Sequence, residues 1–175
     1  IGNTGYQKYQ MAVFASAYGN FRFAKLYLTQ DTAVFQESHA DFFAYSHGAF
    51  RTMLYDNMKV AVRRFVGLTE KEPTAALTEL SIYYGFKYRF CNICSGNEKG
   101  HVERSVEFVR RKVFSGPDCD KFDTLAEANK YLFRECMKLN AKPIYDGSIP
   151  LETFETEKQF LLPAMPKFES CIKST

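Results

Sequence analysis

The pattern of apolar and polar positions along these 175 residues changes period several times, and each change predicts an element. Residues 9–17 and 21–28 are dense in aromatic and aliphatic side chains and flank Tyr18-Gly19-Asn20, so they predict a β-hairpin closed by a tight turn. In the second strand Phe21, Phe23, Lys25 and Tyr27 alternate with Arg22, Ala24 and Leu26, which gives it two unlike faces. Asp31 and Thr32 are N-cap residues for a helix carrying Val34, Phe35, Ser38, Phe42, Tyr45 and Ala49 at helical spacing, with Gly48 marking its end. Residues 51–55 form a short apolar run that reads as a strand and delivers Asp56. Residues 58–72 have no clear period and receive no assignment.

Pro73 predicts the first turn of a second helix, with Leu77, Leu80, Ser81 and Tyr84 as its inner stripe and Gly85 as its stop. Residues 86–91 read as a further strand, and residues 92–100 as a mobile loop rich in Gly and Asn. A third helix is expected from near His101, with Val102, Val106, Val109 and Val113 as its apolar stripe. Thr124-Leu-Ala-Glu127 has capping-box spacing and opens a fourth helix to about Asn140. Four of the six prolines follow residue 142, which predicts an extension that wraps the domain or leads onward. The expected division is a core over 1–142 and a Pro-rich extension over 143–175. Antiparallel strands come first and βαβ units later, an α/β domain with a mixed sheet.

Composition changes little in this picture. The 46% hydrophobic and 25% charged content suits a globular domain. No apolar run of about 18 residues predicts a membrane helix. The opening residues have no signal-peptide pattern and no initiator Met, which reads as a piece of a longer chain. Net charge is +3, but between Lys87 and Lys112 seven lysines and arginines face three glutamates, a local basic surface suited to a polyanion. Five irregularly spaced cysteines fit a reduced protein. Cys91-x-x-Cys94 is half of a zinc pattern without a second half, so incidental thiols are expected.

Two carboxylates carry the candidate chemistry. Asp56 leaves a strand in Met53-Leu-Tyr-Asp-Asn-Met58, and Glu103 enters a helix in Lys99-Gly-His-Val-Glu-Arg104. A crossover between them can bring both to the carboxyl end of the sheet, where open α/β sheets bind ligands. Two carboxylates brought together repel unless protonated or bridged by a cation. Magnesium takes carboxylate oxygens together with substrate phosphates. The residues alone favour a second reading over a metal site: Asp56 caps a turn, and Glu103 caps a helix N-terminus, where its charge is favourable. Arg104, Arg110 and Arg111 either contact phosphates or form a solvated face with Glu107–Arg111 as an i,i+4 pair. His39 and His47 are expected on the first helix, away from the acids, and His101 beside Glu103.

Tyr55-Asp56-Asn57-Met58-Lys59 with Ala61-Val62 resembles the second-acid segment of IstA-type bacterial insertion-sequence transposases. Gly96-Asn-Glu-Lys-Gly-His-Val-Glu-Arg104, with Ser105-Val106 and Val109-Arg-Arg111, resembles their third-acid segment. The resemblance runs from Tyr6 to about Pro166. It implies an integrase catalytic core of the DDE superfamily, with a ribonuclease H-like mixed sheet flanked by helices. It further implies Asp56 and Glu103 as catalytic metal ligands for two Mg2+ or Mn2+ ions. Lys59, Lys99 and Arg104 match basic positions near the site, and Arg110 and Arg111 extend the DNA-binding face. The implied function is cleavage of transposon-end DNA and its joining to target DNA. The partners implied are DNA, further copies of the chain and an ATP-dependent helper protein. The location implied is the cytoplasm at the bacterial nucleoid, with no membrane.

The family carries its first acid on a strand that precedes the hairpin, so that strand and acid are expected upstream of Ile1 and missing here. The chain as given is then expected to be inactive, and either marginal, closed by another chain or incompletely represented. The alternatives are a non-catalytic DNA-binding or assembly module of this fold, or a nuclease that hydrolyses without joining.

Overall fold

The computed structural model describes residues 5–56, 61–66, 70–91, 96–117, 119 and 121–169; side chains of 62–72 and 96–104 lie outside the described set. The hairpin forms as its pattern predicts. β1 (Gln10–Ala15) pairs antiparallel with β2 (Arg22–Tyr27), Gln10 opposite Tyr27 and Ala15 opposite Arg22. Ser16 organises the turn, its Oγ accepting from the amides of Gly19 and Phe21 at 3.3 and 3.2 Å. Gly19 is required there because a Cβ would lie 2.6 Å from Thr153 Cγ2.

α1 (Thr32–Ser46) starts at Asp31, whose carboxylate accepts from the Val34 amide at 2.9 Å. Its left-handed C-terminal residue is His47 (φ 56°), not the glycine. Gly48 is needed for another reason: the carbonyl of Leu162 rests where its Cβ would stand. β3 (Thr52–Tyr55) follows. The stretch left unassigned contains a second hairpin, β4 (Val62–Val66) with β5 (Glu70–Pro73). Pro73 therefore ends a strand instead of opening α2 (Ala75–Tyr84). The cap of α2 is Thr74, whose Oγ1 accepts from the Leu77 amide, and Gly85 closes it at φ 81°. Thr74 can bond an orphan amide of the helix, which proline cannot.

β6 (Lys87–Phe90) lies parallel to β3, with Tyr55 opposite Phe90. α3 (Gly96–Val113) begins about five residues earlier than expected, so 96–100 are helical instead of loop; residues 92–95 lie outside the described set. Its inner face is Ser105, Val109 and Val113, while Val106 is only half-buried. α4 (Leu125–Asn140) has the expected cap: Thr124 Oγ1 accepts from the Glu127 amide, and the Glu127 carboxylate reaches back to the amide of Asp123, one residue before the cap, both at 3.1 Å. α5 (Pro150–Glu157) and a 3-10 turn (Lys158–Phe160) are elements the pattern did not predict.

Two apolar cores lie on the two sides of the β1–β2 pair. On one side Phe21, Phe23 and Phe14 pack against α1. Phe154 of α5 is fully buried there and stacks on Phe21 with ring centres 3.9 Å apart. On the other side Ala24 and Leu26 meet Val109 and Val113 of α3 and Ala128, Leu132 and Cys136 of α4. α4 also closes the outer edge of β2. Asn129 bonds both the amide and the carbonyl of Leu26, and Asn140 does the same to Arg22. Two side-chain amides thus satisfy backbone groups that a neighbouring strand would otherwise take.

After α5 the chain runs back over α1 and α2. Leu162 donates to the Ala49 carbonyl, Tyr83 Oη to the Pro166 carbonyl, and the Phe168 amide to Tyr84 Oη. Among the described residues the strands form three separate pairs: β1–β2, β3–β6 and β4–β5. β1 and β3 both meet α1, since Phe14 and Tyr55 each pack against His39. No described hydrogen-bond ladder joins them.

Candidate functional site

Asp56 is the first residue past β3. The last rung of the parallel pair is the Cys91 amide donating to the Tyr55 carbonyl at 2.8 Å, so β3 and β6 end side by side. Asp56 emerges there half-buried. Strand alternation turns it away from Tyr55, which faces α1. α3 starts five residues beyond Cys91 and packs on β1. Parallel pairing thus ends β3, just before Asp56, beside the end of β6.

Glu103 lies on α3, as do Lys99 and Arg104; the side chains of all three are outside the described residues. Lys59, Asn57, Met58 and Cys94 also fall outside them. Arg110 and Arg111 are exposed in the last turn of α3, with Lys112 beside them. A helix C-terminus favours such cations. Glu107 meets Arg110 at 4.0 Å, both well exposed, a pair of little energetic weight. A cleft of about 400 Å3 near the ends of α3 and α4, lined by Lys112, Lys138, Lys142 and Glu135, continues this basic surface.

The other acids near the first helix have structural work. Asp31 is the α1 cap. Asp41 accepts from Lys25 Nζ (2.7 Å), Tyr27 Oη (2.7 Å) and Lys167 Nζ (2.8 Å). Burial acts to raise its pKa, but these hydrogen bonds win and hold the carboxyl below its ordinary value.

His39 is on α1 as expected, and it has a partner the sequence did not suggest: its Nε2 lies 2.8 Å from Tyr55 Oη, on the face of β3 opposite to the one toward which alternation turns Asp56. Its Nδ1 lies 2.7 Å from the Phe35 carbonyl, which can only accept, so Nδ1 carries the proton and Nε2 accepts from Tyr55. The ring is 2% exposed, and burial pulls its pKa from 6.5 down to about 4. No spacing rule links a helical histidine to a tyrosine 16 residues on. Among the described residues no three His, Cys, Asp or Glu side chains converge as a metal cluster, and no helix is long and apolar enough to cross a membrane.

No family model matches the chain. In sequence it is 29% identical over 172 residues to a transposase for insertion sequences IS1326/IS1353 of Pseudomonas aeruginosa, covering 96% of the chain and 33% of that protein. It is 28% identical over 178 residues to a transposase of Aminobacter aminovorans, covering 100% of the chain and 34% of the relative. A putative transposase for insertion sequence element IS5376 of Geobacillus stearothermophilus is 27% identical over 162 residues. The chain thus spans about a third of the length of the relatives it matches most fully. In fold it is similar to the catalytic core domain of BIV integrase, with a TM-score of 0.60, 14% identity, and coverage of 91% of this chain and 93% of that one. Along nearly its whole length, then, the chain is similar in sequence to one stretch of insertion-sequence transposases, and its mixed α/β fold is that of an integrase catalytic core domain.

Proposed function

We propose that the chain is the catalytic-core segment of a transposase that cleaves DNA at the ends of an insertion sequence and joins it to target DNA. The observation that carries this reading is the near-complete match to insertion-sequence transposases on an integrase-core fold. Within that fold an aspartate leaves β3 and a glutamate lies on the helix returning from β6.

Carboxylates fit a hard divalent cation, and Asp56 and Glu103 would hold Mg2+ or Mn2+. Bound there, two ions would supply Lewis-acid stabilisation of the attacking and leaving oxygens of a phosphodiester. The chain's own residues then bind and align DNA. Lys59, Lys99 and Arg104 meet phosphates close to the acids, while Arg110 and Arg111 hold the backbone further along α3. Such contacts are salt-dependent and fix register, not sequence. A third carboxylate belongs to the same reading, and among the described residues no hydrogen-bond ladder joins β1 to β3. Assembly of several copies on DNA and an ATP-dependent helper belong to the same reading, as does a place at the bacterial nucleoid.

The test is Mn2+-dependent cleavage and joining of insertion-sequence-end DNA by the full-length protein. Losing a ligand worth several kcal/mol predicts roughly a thousandfold drop for Asp56→Asn and for Glu103→Gln. Undiminished activity in either variant rejects the assignment. Cleavage without joining points instead to a nuclease, and DNA binding without cleavage to an assembly module.

A further inference from the structure

We propose that His39 and Tyr55 are positioning residues for Asp56, a buried pair that fixes the direction in which the carboxylate leaves β3. The inference rests on the reading of Asp56 as a metal ligand. The peptide joining Tyr55 to Asp56 is held from two sides. On the backbone side, the Cys91 amide of β6 donates to the Tyr55 carbonyl at 2.8 Å. On the side-chain side, Tyr55 Oη donates to His39 Nε2 at 2.8 Å, and His39 Nδ1 donates to the Phe35 carbonyl at 2.7 Å.

The imidazole has little freedom to turn. Phe14 meets it edge-on at 5.0 Å, Phe35 lies 4.6 Å away and Phe43 6.0 Å away. One end of the chain of hydrogen bonds is an α1 backbone carbonyl, and the other is the residue before Asp56. Tyr55 is 5% exposed and His39 2%, so water does not substitute for either partner. A buried hydroxyl–imidazole bond costs stability to desolvate and has no ladder to complete. Directing a ligand carboxylate gives it a purpose that an aromatic pair of equal volume would not serve. Groups behind a metal ligand commonly alter metal affinity by about 10- to 100-fold when removed.

The experiment measures Mn2+ binding to the full-length protein by electron paramagnetic resonance, together with Mn2+-dependent cleavage of insertion-sequence-end DNA. Tyr55→Phe keeps the ring and removes the hydroxyl–imidazole bond; His39→Phe keeps an aromatic ring and removes that bond together with the Nδ1 bond to the Phe35 carbonyl. Each is expected to weaken Mn2+ binding about tenfold, and the double variant to be no weaker than His39→Phe alone, because the hydroxyl–imidazole bond is already lost there. In an Asp56→Asn background Tyr55→Phe is expected to change nothing further. Thr124→Ala, distant on α4, supplies a stability control expected to leave Mn2+ affinity unchanged. If Tyr55→Phe or His39→Phe binds Mn2+ like the unaltered protein while Asp56→Asn does not, the positioning role is overturned and the reading of Asp56 stands. If the control weakens binding equally, the effect is only stability and the positioning role again falls. If Asp56→Asn keeps both binding and cleavage, the reading beneath the inference fails.

Discussion

Acid should unfold this domain through His39 before its carboxylates titrate. The native ring is buried and neutral, with a pKa near 4 against 6.5 for the free side chain. As pH falls through 6.5 the unfolded chain takes up a proton that the native state refuses. The stability from keeping the ring neutral is therefore complete above 6.5 and lost progressively down to 4. Integrating the linkage between those two values gives about 3 kcal/mol lost at pH 4, a large fraction of a typical domain's stability. The ring is buried, so solvent screening reduces this little. Asp31 and Asp41, whose pKa values are lowered, act in the same direction only below about pH 4. Glu157, raised by burial, acts oppositely above its ordinary value and flattens the upper part of the curve. Urea denaturation at half-unit steps from pH 7 to 4, on the unaltered protein and His39→Gln, isolates the histidine. The difference in unfolding free energy between the two should shrink by about 3 kcal/mol over that range. Parallel curves would refute the reasoning.

Further outcomes follow from the packing. Phe154→Ala should cost about 3–5 kcal/mol in urea denaturation, because its ring is fully buried against Phe21 and has no solvent to relax into. Asp41→Asn removes the charge that binds Lys25 and Lys167, and should speed tryptic cleavage after Lys167 without altering the helical circular dichroism. Thr124→Ala should lower stability by about 1 kcal/mol through loss of the α4 cap.

Local chemistry was legible in the chain, and long-range chemistry was not. Asp31, Thr124 and Glu127 could be read as caps because their partners lie within four residues. The first hairpin followed from alternation and Gly19, although the collision that forbids a side chain there, with Thr153, is visible only in three dimensions. The start of α2 was misplaced because Pro73 fits both a strand end and a first helical turn, and only the β4 partner decides between them. α5 was hidden because its cap position, Ile149, makes no side-chain cap bond, and Phe154 gains its meaning from Phe21, far back in the chain. Likewise, neither His39 nor Asn129 and Asn140 carries a sequence mark of its role, since each bonds a distant segment. Asp56 could be read as the residue that leaves a short strand, but the parallel partner that β3 takes, β6, lies 35 residues further on and carries no mark of that pairing in the sequence.

The central claim is that Asp56 and Glu103 share a metal ion. Iron-mediated cleavage of the polypeptide tests it without requiring DNA or turnover. Fe2+ bound to the full-length protein and exposed to peroxide and ascorbate should cut the chain near both position 56 and position 103, and excess Mg2+ should suppress both cuts. Cleavage confined to one of the two positions, or unaffected by Mg2+, would contradict the account.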